Sequence, residues 1–464
     1  MGTYLSSEPY AGVQRPSPSV LGQPAEQRWG LAFLGVLAYL VVEYTRLPLM
    51  FPVLQQFDVS KVVAGVALLG LLISPRLKKK GAAARAIDLC VLLFLLAGLV
   101  SAFFADYPQS AWGQLIDTAK WVVVYFLISR TVVSAWRSKI FVVTFLLLNL
   151  KLAQFAIRLY LQYGTVQQGG RSVAMVGLGA NDFFGNSNDF GVGMCVVLPL
   201  AASLFIGESK LLARLVYLVS FLGVFAAMLL SGCRGAFVAT CAAALVFFFR
   251  GNRRIAAVLM GLLIVIGSLF LLPQGNRDRL LSILKPESDQ TAIQRIGFWK
   301  AGFDMFINHP LTGVGPGNFA PTFRDFYSAA EKDPGAWAPH SIYIQGFAEL
   351  GLLGAVPLFV LWGLALRLNG RTRRLLHDSR ATHHSFEMRL ALGLEMALVA
   401  FLVSGAFLTT LYYPHFWFLL GMSVGLYRAT MESEPSYQEL IREAEPVDPV
   451  FADSMIGRSQ RVVQ

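Results

Sequence analysis

The sequence predicts an all-α polytopic membrane protein, and three observations carry that reading. Of its 464 residues, 55% are hydrophobic and only 14% charged, against about 25% charged in ordinary soluble domains. Apolar runs that approach the length of a bilayer span, about 20 residues, recur about twelve times along the chain. The basic residues gather in short clusters between those runs, the distribution that the positive-inside rule produces. A mean hydropathy of +0.56 agrees. Together these exclude a soluble enzyme, a disordered scaffold and a disulfide-stapled secreted domain, and leave a membrane-embedded enzyme open.

Residues 1–28, with Pro16, Pro18 and Pro24 and no apolar signal core, read as a disordered cytoplasmic tail. Membrane helices one to nine occupy 29–273, near 29–45, 60–75, 87–105, 114–131, 139–161, 189–207, 211–231, 235–250 and 254–273. A long outer loop, 274–340, separates the ninth from the tenth. Within it Ile296, Trp299, Phe303 and Phe306 recur on one helical face, so an amphipathic helix is expected to lie on the bilayer surface or to cap the bundle. Pro310 ends that helix, and the turn-rich stretch from Gly313 to Asn318 follows. Three further spans near 341–366, 387–410 and 415–430 fill 341–430, and 431–464 is a cytoplasmic tail.

With both termini in the cytoplasm, every strongly basic cluster falls inside: Arg76 to Arg85, Arg130 to Lys139, Arg250 to Arg254 and Arg367 to Arg380. The outer face then holds two long segments, 162–188 and 274–340. Long loops with local structure are usually functional, so function is sought there. The net charge of +11 would suggest nucleic acid in a soluble protein; distributed in this way it reads as membrane topology, with no nucleic-acid partner. Cys90, Cys195, Cys233 and Cys241 show neither metal-ligand nor disulfide spacing and read as small hydrophobes.

Three outer-side arginines are not accounted for by that topology. Arg171 follows Gly169-Gly170 in the first long segment. Arg234 sits in the tight turn Ser231-Gly232-Cys233-Arg234-Gly235, and Arg295 opens the amphipathic helix. Guanidinium binds phosphate oxygens in bidentate fashion, so the three suit a diphosphate; the alternative is snorkelling or pairing with Asp182, Asp189 or Glu349. His340, immediately before the tenth span, titrates near neutrality and can accept a proton; a hydrogen-bonded interfacial histidine is the plainer role. Glu349, nine residues on, should face protein and act structurally. The acidic pairs Glu287/Asp289 and Glu331/Asp333 read as solvated charge, so no metal site is expected. No nucleophile triad, phosphate-binding loop or dinucleotide fingerprint is present.

The run Arg295 … Trp299 … Asn308-His309-Pro310-Leu311-Thr312-Gly313-Val314-Gly315-Pro316-Gly317-Asn318-Phe319, then His340-Ser341 … Glu349-Leu350-Gly351-Leu352-Leu353-Gly354, resembles the signature of the O-antigen ligase and O-antigen polymerase superfamily. The turn from Ser231 to Gly235, the pair Asn188-Asp189 after the loop with Arg171, and Tyr412-Tyr413-Pro414 before the last span extend the resemblance over roughly 165–425. Ser341 departs from it, since many members have Asn after the His.

The resemblance implies a GT-C-like helical fold at the bacterial inner membrane with its active site facing the periplasm. It implies a donor glycan linked to undecaprenyl diphosphate, a lipid, glycan or protein acceptor, and no metal or other cofactor. Carried onto this chain, Arg234 and Arg295, and with them Arg171, hold the diphosphate. His340 is catalytic, with Asn188, Asp189, Glu349 and Tyr413 in support. A polysaccharide polymerase or a protein O-oligosaccharyltransferase would carry the same signature. An anion transporter is the alternative from another class; it would show inverted repeats and helices broken at matching positions, and no internal repeat is visible in the sequence.

Overall fold

The structure, a computed structural model, describes residues 29–45, 51–74, 81–168, 171–174, 186–250, 259, 261–262, 266–267, 290–327, 337–378 and 385–433. The helices are α1 (Leu31–Thr45), α2 (Val59–Ile73), α3 (Ala82–Phe103), α4 (Pro108–Thr131), α5 (Ala135–Tyr163), α6 (Ser187–Gly207), α7 (Leu211–Leu230) and α8 (Arg234–Arg250). After them come α9 (Gln290–Asn308), α10 (Phe319–Phe326), α11 (Ile342–Asp378), α12 (Ser385–Gly405) and α13 (Pro414–Ser433). A single helical turn, Pro52–Gln55, precedes α2. Each apolar run expected within these residues is a helix; the run 254–273 lies almost wholly outside them. Among the described residues α3, α5, α6, α7 and α11 are long and apolar enough to cross a membrane, and the chain is a membrane protein.

The bundle is organised around α6. Its apolar window is 83% buried, against 39–50% for the other four spanning helices, and it packs against α7, α8 and α12. Small residues make this possible. Gly393 of α12 lies so close that a Cβ there would come within 2.3 Å of the Ser203 hydroxyl, the close backbone approach through which helices associate in lipid. Around this centre α11 packs on α3 and α12, and α4 on α13. Peripheral α2 leaves Leu69, Leu72 and Ile73 60–82% exposed, a face suited to lipid.

Two features depart from the sequence reading. The cluster Arg367, Arg371, Arg373 and Arg374 was expected in a loop after a span ending near 366, yet α11 runs on to Asp378. Leu368, Thr372 and Leu376 keep a buried stripe four residues apart, so the helix still has a face to bury. The first outer segment holds a two-stranded antiparallel ribbon, β1 (Thr165–Gln168) with β2 (Arg171–Ala174), with Gln168 opposite Arg171. The two-residue Gly169-Gly170 link is a hairpin signal that the all-α reading passed over.

Buried charge ties the basic ends of the helices together. Glu395 of α12 accepts from Arg250 of α8 and, at 3.2 Å, from Arg373 of α11. Asp88 of α3 accepts from Arg428 of α13 at 2.6 Å and from Tyr125 of α4 at 2.7 Å. Arg250 ends α8 and Arg234 begins it. At 1.5 Å per residue the two lie roughly 25 Å apart, on opposite faces of the bundle.

Candidate active site

Opposite that basic face, five segments meet at one cavity of about 160 Å³. Asn188 comes from the start of α6, Cys233, Arg234 and Gly235 from the turn into α8, and Gln294, Arg295 and Phe298 from α9. His340 comes from the residues before α11, and Phe407 and Leu408 from the loop after α12.

Local chemistry sets each position. Asn186 caps α6, its side chain accepting the Asn188 and Asp189 N–H groups at 2.9 and 3.1 Å, and so fixes the entry of Asn188. Asn186 also donates to Asp189 at 2.9 Å, and the Tyr413 hydroxyl bonds the same carboxylate. The turn before α8 is held by Ser231, which donates to the Met228 carbonyl at 2.6 Å and accepts the Cys233 N–H at 3.2 Å. It is pressed onto Gly191, where a Cβ would come within 2.6 Å of Ser231 and Cys233 atoms. Absence of a side chain at 191 brings Arg234 beside Asn188.

On α9 the face that packs on the bundle is not the apolar stripe read from the sequence. Ile296 and Phe303 are 50% and 59% exposed, whereas Ala301 and Met305 are buried and Gly302 abuts Ile344 of α11. The inner face is Phe298, Ala301, Gly302 and Met305, which directs Phe298 and Arg295 to the cavity. The apolar set of Ile296 and Phe303 is left outward, as suits a helix lying on a bilayer surface.

His340 has a left-handed backbone, φ +46°, unusual for a residue with a Cβ and costing about 1–2 kcal/mol. Its N–H donates to Thr409 Oγ1 at 3.0 Å, and the preceding Pro339 carbonyl accepts from Trp299 Nε1 at 2.9 Å. Its ring lies 6.0 Å from that of Phe298. Burial, and then the positive charge of Arg295, push its pKa down to about 4, so the imidazole is neutral at physiological pH. Ser341 next to it is buried and accepts the Ile344 N–H at 3.5 Å. That is a helix-cap position, which Ser and Asn fill equally well.

Glu349 faces protein, as expected, and lies on α11 away from the lining. It accepts from the Gly317 N–H at 2.9 Å, the Phe319 N–H at 3.4 Å, the Tyr412 hydroxyl at 2.7 Å and Gln345 at 3.4 Å. Two residues later α11 breaks at Gly351, φ +57°. The segment 310–315 fills the break: Val314 and Gly315 donate to the Ala348 and Glu349 carbonyls, and Leu352 and Leu353 donate to Pro310 and Leu311. A Cβ on Gly351 would meet the Leu311 carbonyl carbon at 2.4 Å, and one on Gly313 would meet that of Glu349 at 2.3 Å. The turn-rich signature is therefore a backbone graft into α11, a structural device rather than a chemical one.

The structure thus brings together Arg234, Arg295, His340 and Asn188. Asp189, Glu349 and Tyr413 brace the site from behind. Arg171 opens β2, and its side chain lies outside what the structure describes, as do Asp182 and the pairs Glu287/Asp289 and Glu331/Asp333. Among the described residues no group of three or more His, Cys, Asp or Glu could hold a metal ion. Sequence reasoning missed Gln294, Phe298, Phe407, Leu408 and Thr409, whose residue types carry no signal in isolation.

No curated protein matches the chain. Residues 218–359, which contain Arg234, Arg295, His340 and Glu349, match the family model described as O-antigen ligase, a match that supports an O-antigen ligase-like superfamily.

Proposed function

We propose that the chain transfers an oligosaccharide or polysaccharide from an undecaprenyl diphosphate carrier to an acceptor hydroxyl on the periplasmic face of a bacterial inner membrane. The observation that carries this reading is the convergence of Arg234, Arg295 and His340, from three separate segments, on one cavity. The family match supports glycosyltransferase-type activity on lipid-linked glycans in general. The reading includes a GT-C-like bundle of about twelve spans with both termini in the cytoplasm, so that the cavity opens on the side away from the basic helix ends.

In the reaction the acceptor oxygen attacks the anomeric carbon of the donor glycan. The bond from that carbon to the phosphate oxygen breaks, and its electron pair leaves with the diphosphate. Arg234 and Arg295 stabilise the charge that develops there, in place of a metal ion. His340, neutral beforehand, takes the acceptor proton. The diphosphate's negative charge offsets the repulsion from Arg295, so the imidazole gains proton affinity once the donor is seated. Ligand pockets that enclose a drug-sized molecule run to about 300–1,000 Å³. At about 160 Å³ this cavity suits the reacting centre alone, with lipid and glycan extending beyond it.

The test is the glycan profile of a deletion strain complemented with wild type or His340→Ala. Carrier-linked long chains accumulating in the deletion and in His340→Ala fit a ligase. Single repeat units would show a polymerase, and loss of glycan from one protein a protein O-oligosaccharyltransferase. An unchanged profile would overturn the reading.

A further inference from the structure

The loop between α12 and α13 does more than close the cavity with Phe407 and Leu408. Thr409 Oγ1 accepts the His340 N–H at 3.0 Å, and on the other side of the Pro339–His340 peptide Trp299 Nε1 donates to the Pro339 carbonyl at 2.9 Å. The two polar groups of one peptide unit are held by two elements that both reach the cavity, α9 and the 406–413 loop. Immediately C-terminal to that unit, the His340 backbone stands at φ +46°, which a residue with a Cβ keeps only when its surroundings over-determine it. The same loop sends Tyr412 to Glu349 at 2.7 Å and Tyr413 to Asp189.

We propose that Thr409 and Trp299 are positioning residues: they grip the Pro339–His340 peptide from opposite sides and hold His340 in the left-handed backbone that turns its imidazole into the cavity. This rests on the reading of His340 as the base, but the grip itself is testable without it. Relaxed to an ordinary φ, the ring would swing away from Arg295 and Phe298, and a displacement of about 1 Å in a reacting group costs roughly 100-fold in rate.

The experiment uses the full chain in lipid nanodiscs, with Thr409→Val, Thr409→Ser, Trp299→Phe and His340→Ala. Amide hydrogen exchange at 337–343 reads the grip. Transfer kinetics, with lipid extract from the deletion strain as donor, read its consequence. Thr409→Val and Trp299→Phe are expected to speed exchange and to lower kcat by roughly 10- to 100-fold, with KM for the donor extract within about twofold. Thr409→Ser, which keeps the acceptor oxygen, should restore both. Wild-type exchange in Thr409→Val and Trp299→Phe would overturn the grip. Faster exchange with unchanged kcat, or a loss in KM alone, would overturn the positioning role. Full activity in His340→Ala would remove the base reading separately, with the exchange result still deciding the grip.

Discussion

At the scale of single residues the site is an arrangement of charge. Arg234 and Arg295 reach one cavity from different helices, and each is expected to contribute through contacts that strengthen as the diphosphate leaves. Arg234→Ala and Arg295→Ala should each lower transfer by roughly 10²–10³-fold, the cost of removing one preorganised charge-stabilising donor. Lysine at either position should recover only part of it, because an ammonium cannot make the forked contact; steady-state transfer on purified variants checks both. The pH dependence follows from His340. Its folded pKa lies at about 4, below the ordinary 6.5, through burial and the Arg295 charge. The imidazole is thus deprotonated through the neutral range, and if the proposed role as base holds, the acid limb of kcat/KM should fall well below pH 6.5. Arg295→Gln removes a positive neighbour, favours the protonated form and should move that limb upward, while burial keeps it below 6.5. A limb at pH 6.5 in the wild type would contradict this environment for His340.

Among the elements, α11 carries the most information. Its break at Gly351 exposes backbone groups that membrane depth would leave unsatisfied, each at a cost of several kcal/mol, and the 310–315 segment supplies their partners. Gly351→Ala puts a Cβ within 2.4 Å of the Leu311 carbonyl carbon at a positive φ. It should cost more than about 2 kcal/mol, read as a lower unfolding midpoint in detergent. Glu349→Ala strands the Gly317 and Phe319 N–H groups and the Tyr412 hydroxyl, each orphaned donor costing about 1–3 kcal/mol. Low protein in the membrane is the expected outcome, in contrast to the arginine variants, which should express normally. The Gly-rich and Glu-Leu-Gly-Leu-Leu-Gly motifs were legible as signals. That they bond to one another was not, because backbone pairing between residues about forty apart leaves no periodicity.

For the whole molecule the decisive quantity is which face is which. The cavity lies at one end of α8 and the Arg250–Glu395–Arg373 cluster at the other, in line with basic ends inside and the site outside. Cysteine labelling in a cysteine-free background checks it. Phe326→Cys, at an exposed position on α10, should react with an impermeant reagent in intact spheroplasts, and Arg371→Cys only after lysis. The reverse pattern would turn the topology over and take the site away from the periplasm.

The helical membrane class and the positions of the described helices followed from the sequence alone, because hydropathy and helical period are local properties of the chain. Arg234, Arg295 and His340 were singled out because polar groups are conspicuous beside apolar spans. Tertiary structure decided the rest. It chose the inner face of α9, since burial depends on what lies opposite and Gly302 had Ile344 to meet. It carried α11 to Asp378, and it made Glu349 a brace for a loop. It also recruited Thr409, Phe407 and Gln294, ordinary residues made relevant only by their neighbours across the bundle.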